Sequence, residues 1–235
     1  MKRLLLTLCL AMTFGLCQAQ WTEQTYYDFD YHRATGINNS IALKNYFQIH
    51  DNFRMGIGYQ ATLHERHSIN LLWQTDLLNT KKGTLYLENR YLYRVFPNYN
   101  MQEFNGLLDL GWENTHWNFQ FGLCNRYIAE IPLRINGGMG TILEPMNVTF
   151  CVEGYLFDQQ HPWNIGGRIS NYRDFVIERF TLFFYSINGY YYLNDGLCLT
   201  AEAGVHPSGV LNLSAQYNGW FCNLGIIVQP QIINK

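Results

Sequence analysis

The strongest constraint in this sequence is a strict alternation of apolar and polar residues that recurs along most of the chain. In the segment 53–63 the apolar residues are Phe53, Met55, Ile57, Tyr59, Ala61 and Leu63. The residues between them are Arg54, Gly56, Gly58, Gln60 and Thr62. A period of two is that of a β-strand, in which successive side chains point to opposite faces, so this segment is predicted to be a strand and not a helix.

The same alternation predicts many further strands. It recurs at 69–77, 85–95, 104–113, 117–127, 146–156, 163–170, 180–193, 197–205, 211–217 and 220–229. The total is twelve or thirteen, depending on whether two more candidates, 26–33 and 41–48, both qualify. Turn-forming residues such as Asn194-Asp195-Gly196 separate the strands. So many strands in one unit favour an all-β sandwich or barrel.

The first nineteen residues have the layout of a secretory signal peptide. Met1-Lys2-Arg3 is a short positive start, Leu4–Leu16 is mostly apolar, and Cys17-Gln18-Ala19 offers small residues for a cleavage site. We therefore expect an exported protein with a signal peptide over 1–19 and one domain over 20–235. Past this point no run of residues approaches the ~18 apolar residues that a transmembrane helix needs.

Three features predict that the apolar face of the strands meets lipid and not a soluble core. The alternating runs reach 11 to 13 residues, whereas soluble strands have about 5–6 and tilted transmembrane strands about 9–11. The polar face carries Gly, Asn, Gln, Arg and Glu, and lysine is almost absent from it after Lys44. Tyr and Trp concentrate towards strand ends, as at Trp112, Trp117, Trp163 and Trp220, which is typical of membrane barrels.

Together these features resemble the small outer-membrane β-barrel proteins of Gram-negative bacteria. The resemblance implies a closed antiparallel up-and-down transmembrane β-barrel, and termini on the periplasmic side require an even strand number, which we predict to be about twelve. The connections at 96–103 and 129–144 would then be among the longer outer loops. Many such barrels end on Phe or Trp, but this chain ends at Lys235, so a closing strand over 220–229 is expected to precede a short tail.

The register of the predicted strands places eleven charged residues inside the barrel. They are Arg54, Asp76, Glu88, Arg90, Arg94, Asp109, Glu113, Arg126, Glu153, Arg168 and Glu202. A selective pore commonly has one sign of charge at its constriction, whereas this set holds five positive and six negative groups. Such a balance favours a paired network that braces the wall, with a narrow polar pathway as the alternative.

Other motifs give weaker signals. His206-Pro207-Ser208 is similar to the His-x-Ser pair of outer-membrane lipid hydrolases, although Gly209 replaces their Asn and an ordinary turn explains the same residues. His64 and His67 lie three apart in a connection, where a solvated turn is favoured over a metal site. The cysteines at 124, 151, 198 and 222 are expected to be free thiols, the first three facing inward and Cys222 outward.

These observations favour a channel or a structural component of the outer membrane over an enzyme, and predict no cofactor. A lipid hydrolase using His206 and Ser208 is one alternative, and a soluble periplasmic β-protein that binds an apolar ligand is another. Outer-membrane lipids are the expected partners, and other envelope proteins are a second class of partner that the sequence neither predicts nor excludes. The net charge of −2 gives no reason to expect nucleic-acid binding.

Overall fold

The computed structural model describes residues 20–32, 36–62, 67–96, 101–130, 141–158, 161–177, 183–206 and 219–228. Twelve of its strands form one closed barrel. These are β1 (Gln20–His32), β2 (Gly36–His50), β3 (Phe53–Thr62), β4 (His67–Thr80), β5 (Gly83–Phe96), β6 (Met101–Glu113), β7 (Trp117–Glu130), β8 (Thr141–Tyr155), β9 (Trp163–Ser170), β12 (Phe184–Asn194), β13 (Leu197–His206) and β14 (Gly219–Val228). Two short strands, β10 (Tyr172–Arg173) and β11 (Val176–Ile177), form a separate hairpin.

The barrel has up-and-down topology. Barrel strands that are adjacent in sequence pair antiparallel, as β3 does with β2 and β4. The wall closes where β1 pairs with β14, over the register from Glu23 opposite Val228 to His32 opposite Gly219. Around the short hairpin, β9 pairs directly with β12. The prediction of a closed antiparallel barrel of about twelve strands is confirmed.

The alternation of the sequence becomes the two faces of the wall. In β3, the side chains of Ile57 and Tyr59 are exposed on the outside, whereas Gly58 and Gln60 are buried on the inside. The same division holds in β5, where Glu88, Arg90 and Arg94 are buried. The outer surface is therefore apolar and the interior polar, the reverse of a soluble barrel.

Strand lengths agree with a wall tall enough to cross a bilayer. Eleven barrel strands have 10 to 15 residues, and β9 has eight. Trp117 and Trp163 begin β7 and β9, Trp112 lies next to the end of β6, and Trp220 is second in β14. Within the described residues, no helix is long and apolar enough to span a membrane.

The two ends of the barrel differ in the length of their connections. At one end, called the turn end, β1 begins, β14 ends, and the connections are 51–52, 81–82, 114–116, 156–162 and 195–196. The opposite end, called the loop end, has connections of up to thirteen residues, including 97–100, 131–140 and 171–183. The two connections predicted to be among the longer loops share the loop end, but 97–100 has only four residues, fewer than the seven of 156–162 at the turn end, because β5 and β6 extend further than predicted.

The segment after β9 departs from the simple up-and-down pattern. Residues 171–177, called the inward hairpin, hold β10 and β11 and bury Tyr172, Phe175 and Ile177 inside the barrel. The sequence analysis assigned no structure to these residues. The described part of the following strand begins at Phe184, so the predicted start at Phe180 lies outside the described residues, as do 1–19 and the predicted strand 211–217.

Candidate functional site

The candidate site is the barrel interior, or lumen, together with the inward hairpin. All eleven charged residues named from the sequence lie on inward-facing positions of their strands. They do not form one network. They divide into a group near the loop end, a group that holds the hairpin, and a group on the turn-end side of it.

The group near the loop end is centred on Glu103, a residue that the sequence analysis missed. Arg94 donates hydrogen bonds of 2.6 Å to both carboxylate oxygens of Glu103, and Arg126 Nε lies 2.8 Å from Oε1. Glu144 of β8 lies 3.7 Å from Arg126. Because Glu103 is buried, these ion pairs brace four neighbouring strands from the inside.

Ion pairs attach the tip of the inward hairpin, Asp174, to the barrel wall. The carboxylate of Asp174 accepts a hydrogen bond from Lys44 of β2 and lies 3.7 Å from Arg90 of β5, which also pairs with Glu88 at 2.7 Å. Asn70 donates to the Asp174 carbonyl at 2.6 Å. Burial would raise the pKa of the Asp174 carboxyl, but Lys44 and Arg90 override burial and hold that pKa well below its usual range.

The aromatic residues of the hairpin pack against the inner face of the wall. The Phe175 ring lies against Gly58 of β3 so closely that a Cβ there would be 2.8 Å from Cζ, and a larger residue would have to displace the ring. Tyr172 donates a hydrogen bond from its hydroxyl to Gln120 of β7. Arg90 lies over the Tyr172 ring, 5.4 Å from its centroid.

The opposite side of the hairpin reaches the last strands of the barrel. The guanidinium of Arg173 lies 3.9 Å from the ring centroid of Phe221 and 5.8 Å from that of Phe184. Asn171 at the hairpin root donates to the carbonyl of Val148 at 2.8 Å. The inward hairpin therefore touches strands around the barrel circumference and lies across the lumen.

Two cavities occupy the lumen on the turn-end side of the hairpin. The first has a volume of about 450 Å³, and Arg54, Glu88 and Glu113 are among its lining residues. The second, called the tyrosine chamber, has a volume of about 260 Å³; its lining residues are Gln24, Tyr155, Arg168, Asp174, Asn188, Gly189, Tyr190, Tyr192, Cys198, Thr200, Ala201, Glu202, Asn223 and Ile227. Arg168 lines both cavities, so they adjoin.

Hydrogen bonds and one ion pair hold six of the remaining charged residues of the sequence prediction, and the seventh, Glu113, lines the first cavity. Arg54 donates to Gln74, which donates to Asp76 at 3.4 Å. Asp109 accepts a hydrogen bond from Thr149. In the tyrosine chamber, Arg168 lies 3.9 Å from Glu202. Glu153, next to the chamber, accepts hydrogen bonds from two of its lining residues, Tyr155 at 2.9 Å and Asn188.

The alternative chemical motifs receive no further support from the described residues. His206 ends β13, and its ring packs 5.5 Å from Phe184 and 5.8 Å from Phe221, on the lumen side of the wall. Ser208 and His64 lie outside the described residues. Among the described residues, no group of three or more His, Cys, Asp or Glu side chains could hold a metal ion. The four cysteines there are free, and Cys124, Cys151 and Cys198 are buried.

Sequence reasoning missed three groups that matter for this site: Lys44, Glu103 and the hairpin 171–177. Lys44 lies in a segment that was only a candidate strand, and Glu103 lies one residue before the predicted start of its strand. A signal for the hairpin does exist, because Tyr172-Arg173-Asp174-Phe175 combines charged and aromatic residues between two strands. Its inward course depends on partners more than 80 residues away in sequence, such as Lys44 and Arg94.

Comparison with known proteins places this architecture among outer-membrane barrels. No family model matches the chain, and no curated protein matches its sequence. Among solved structures, it is similar to the NanC porin, with a TM-score of 0.55 and 10% identity over 88% of this chain and 100% of that one. The KdgM porin in complex with disordered oligogalacturonate gives 0.56 and 7% identity, over 88% and 99%. Omp33 of Acinetobacter baumannii gives 0.51 and 11% identity, over 92% and 100%. At these identities the likeness shows a shared fold, that of a small porin-like barrel.

Proposed function

We propose that this protein is an outer-membrane channel for small polar solutes, and that the inward hairpin keeps the channel closed. The apolar outer wall suits lipid, and strands of 10 residues or more are long enough to cross it. The expected signal peptide over 1–19 would deliver the chain to the cell envelope. The shared fold with the NanC and KdgM porins agrees with this role.

One observation carries the proposal: among the described residues, the inward hairpin lies across the lumen in addition to the side chains of the wall. The hairpin is attached through ion pairs and hydrogen bonds of Asp174 and through ring contacts of Tyr172 and Phe175. Cavities of about 260 and 450 Å³ lie on its turn-end side.

Conductance across a planar lipid bilayer tests the proposal. The native protein is expected to show small or infrequent openings, and a variant in which a Gly-Ser linker replaces 171–177 is expected to conduct more and remain open. A variant with Gly-Ser at the exposed turn 81–82 is the matched control and should behave like the native protein. If the linker variant folds, inserts and still does not conduct, the channel function is wrong, and a structural role in the membrane takes its place.

A further inference from the structure

We infer that the tyrosine chamber is a binding site for the ring of a neutral sugar. The inference rests on the proposed channel function and names the class of solute that the channel takes. The chamber lies between Asp174 of the hairpin and the turn end of the barrel. A solute in it would therefore lie directly behind the closed constriction.

Three tyrosine rings give the chamber an aromatic surface inside a polar lumen. The ring centroids of Tyr155 and Tyr190 are 6.0 Å apart, and those of Tyr190 and Tyr192 are 5.4 Å apart. Tyr190 and Tyr192 face inward, whereas Tyr191 between them is exposed on the outside of the wall. Flat rings of this kind pack against the C–H face of a pyranose, and their hydroxyls remain near the polar groups.

Two residues that line the chamber, Asn188 and Asn223, carry side-chain carbonyl oxygens that the protein does not use. The side-chain carbonyl oxygens of Asn188 and Asn223 are buried, and neither has a hydrogen-bond partner among the described residues. The amide nitrogens are engaged, with Glu153 for Asn188 and with Glu202 at 3.2 Å for Asn223. Buried acceptors without partners are costly, and in the inferred complex a rotation of each amide turns its oxygen towards a hydroxyl group of the ligand.

The charges of the chamber favour a neutral solute over an acidic one. The single cation that lines it, Arg168, faces Glu202 at 3.9 Å, and Asp174 is the second acidic residue in the lining. Two carboxylates therefore line the chamber against one cation, and an acidic sugar would meet repulsion. An organic cation is the competing ligand, because both tyrosine rings and carboxylates attract one.

Size limits the ligand to one ring in this chamber. Its volume of about 260 Å³ is below the ~300–1,000 Å³ of most ligand pockets, so it suits a single pyranose. The adjoining cavity of about 450 Å³, reached past Arg168, provides space for a second ring. A disaccharide is therefore expected to bind more tightly than its monosaccharide.

Calorimetric titration of the detergent-solubilised full chain tests the site without any flux measurement. Glucose, galactose and maltose serve as neutral probes, galacturonic acid as the acidic one and choline as the cation. We expect binding of at least one neutral sugar, tighter than galacturonic acid and choline. Asn223→Leu should weaken it about threefold to tenfold, the effect of one lost hydrogen bond. Tyr190→Leu should weaken it further.

The matched control is Tyr191→Leu, which changes the outward residue of the same strand and should leave sugar binding unchanged. If none of the three neutral sugars binds to a protein that still shows the folded mobility on an unheated gel, the inference is wrong. Tighter binding of choline, or equal losses in the Tyr191 and Tyr190 variants, also overturns it. Bilayer conductance without sugar binding would support the channel and refute only the sugar site. Sugar binding without conductance would support the sugar site and refute the channel.

Discussion

Removing the Asp174 carboxylate is predicted to release the inward hairpin and open the lumen. In the native protein this carboxylate pairs with Lys44 and lies 3.7 Å from Arg90. In Asp174→Ala, Arg90 keeps Glu88 at 2.7 Å, but Lys44, buried by the hairpin, loses the ion pair that holds it. The docked position of the hairpin therefore becomes less favourable, and the undocked position, in which Lys44 is hydrated, gains population.

The size of the effect follows from the burial of the two partners. Breaking a fully buried ion pair costs about 3–5 kcal/mol, and an exposed pair is worth about 0–1 kcal/mol. The Lys44 side chain is 7% exposed and that of Asp174 31%, so the pair lies between these limits. We therefore expect a loss of about 2–3 kcal/mol, which shifts the docking equilibrium about 30-fold to 150-fold.

Single-channel recording measures this shift as open probability. Asp174→Ala should open far more often than the native protein, whereas Lys81→Ala, in the exposed turn 81–82, should not differ from it. Combining Asp174→Ala with Lys44→Met should restore part of the closed state, because the buried cation that lost its carboxylate is then gone. An Asp174→Ala variant that folds, inserts and keeps the native open probability would refute the reasoning.

Three further predictions concern acid, packing and thiols. The pKa of Asp174 is held below its ordinary value of 3.8, so the carboxylate contributes fully to hairpin docking above that pH, and this contribution is lost as the pH falls through the lowered pKa. Open probability should therefore rise only in strong acid. Asp174→Asn should abolish that response. Gly111→Ala would place a Cβ 2.2 Å from the Tyr86 ring and should destabilise the barrel by about 1–3 kcal/mol in heat-mobility assays, whereas Gly106→Ala, with its nearest contact at 3.5 Å, should be neutral. Cys151, 1% exposed, should resist a bulky water-soluble maleimide until the protein is boiled; labelling of the folded barrel would contradict the packing described.

The wall of the barrel could be predicted from sequence because its information is local. A strand that separates lipid from a polar lumen must alternate at every second residue, so segments such as 53–63 and 117–127 show the pattern directly. The inward orientation of Glu88, Arg90 and Arg94 follows from the same register. The predicted start of a strand at Phe104 instead of Met101 hid Glu103, because strand ends carry weaker patterns than strand centres.

The hairpin and its anchors could not be predicted from sequence because their information is not local. Asp174 pairs with Lys44, which is 130 residues away in sequence. Phe175 packs where Gly58 leaves space for its ring. The sequence analysis did note glycines on the inner face, but not which ring each one admits. The tyrosine chamber has the same origin, since Tyr155 and Tyr190 meet only after the barrel has closed.

The central claim is that the apolar outer wall of this closed barrel lies in the outer membrane. Envelope fractionation followed by gel electrophoresis with and without boiling tests it in one measurement. We predict that the protein is found with outer membranes and that the unheated barrel migrates differently from the boiled chain. A protein recovered from the soluble periplasm, with the same mobility before and after boiling, would contradict the account.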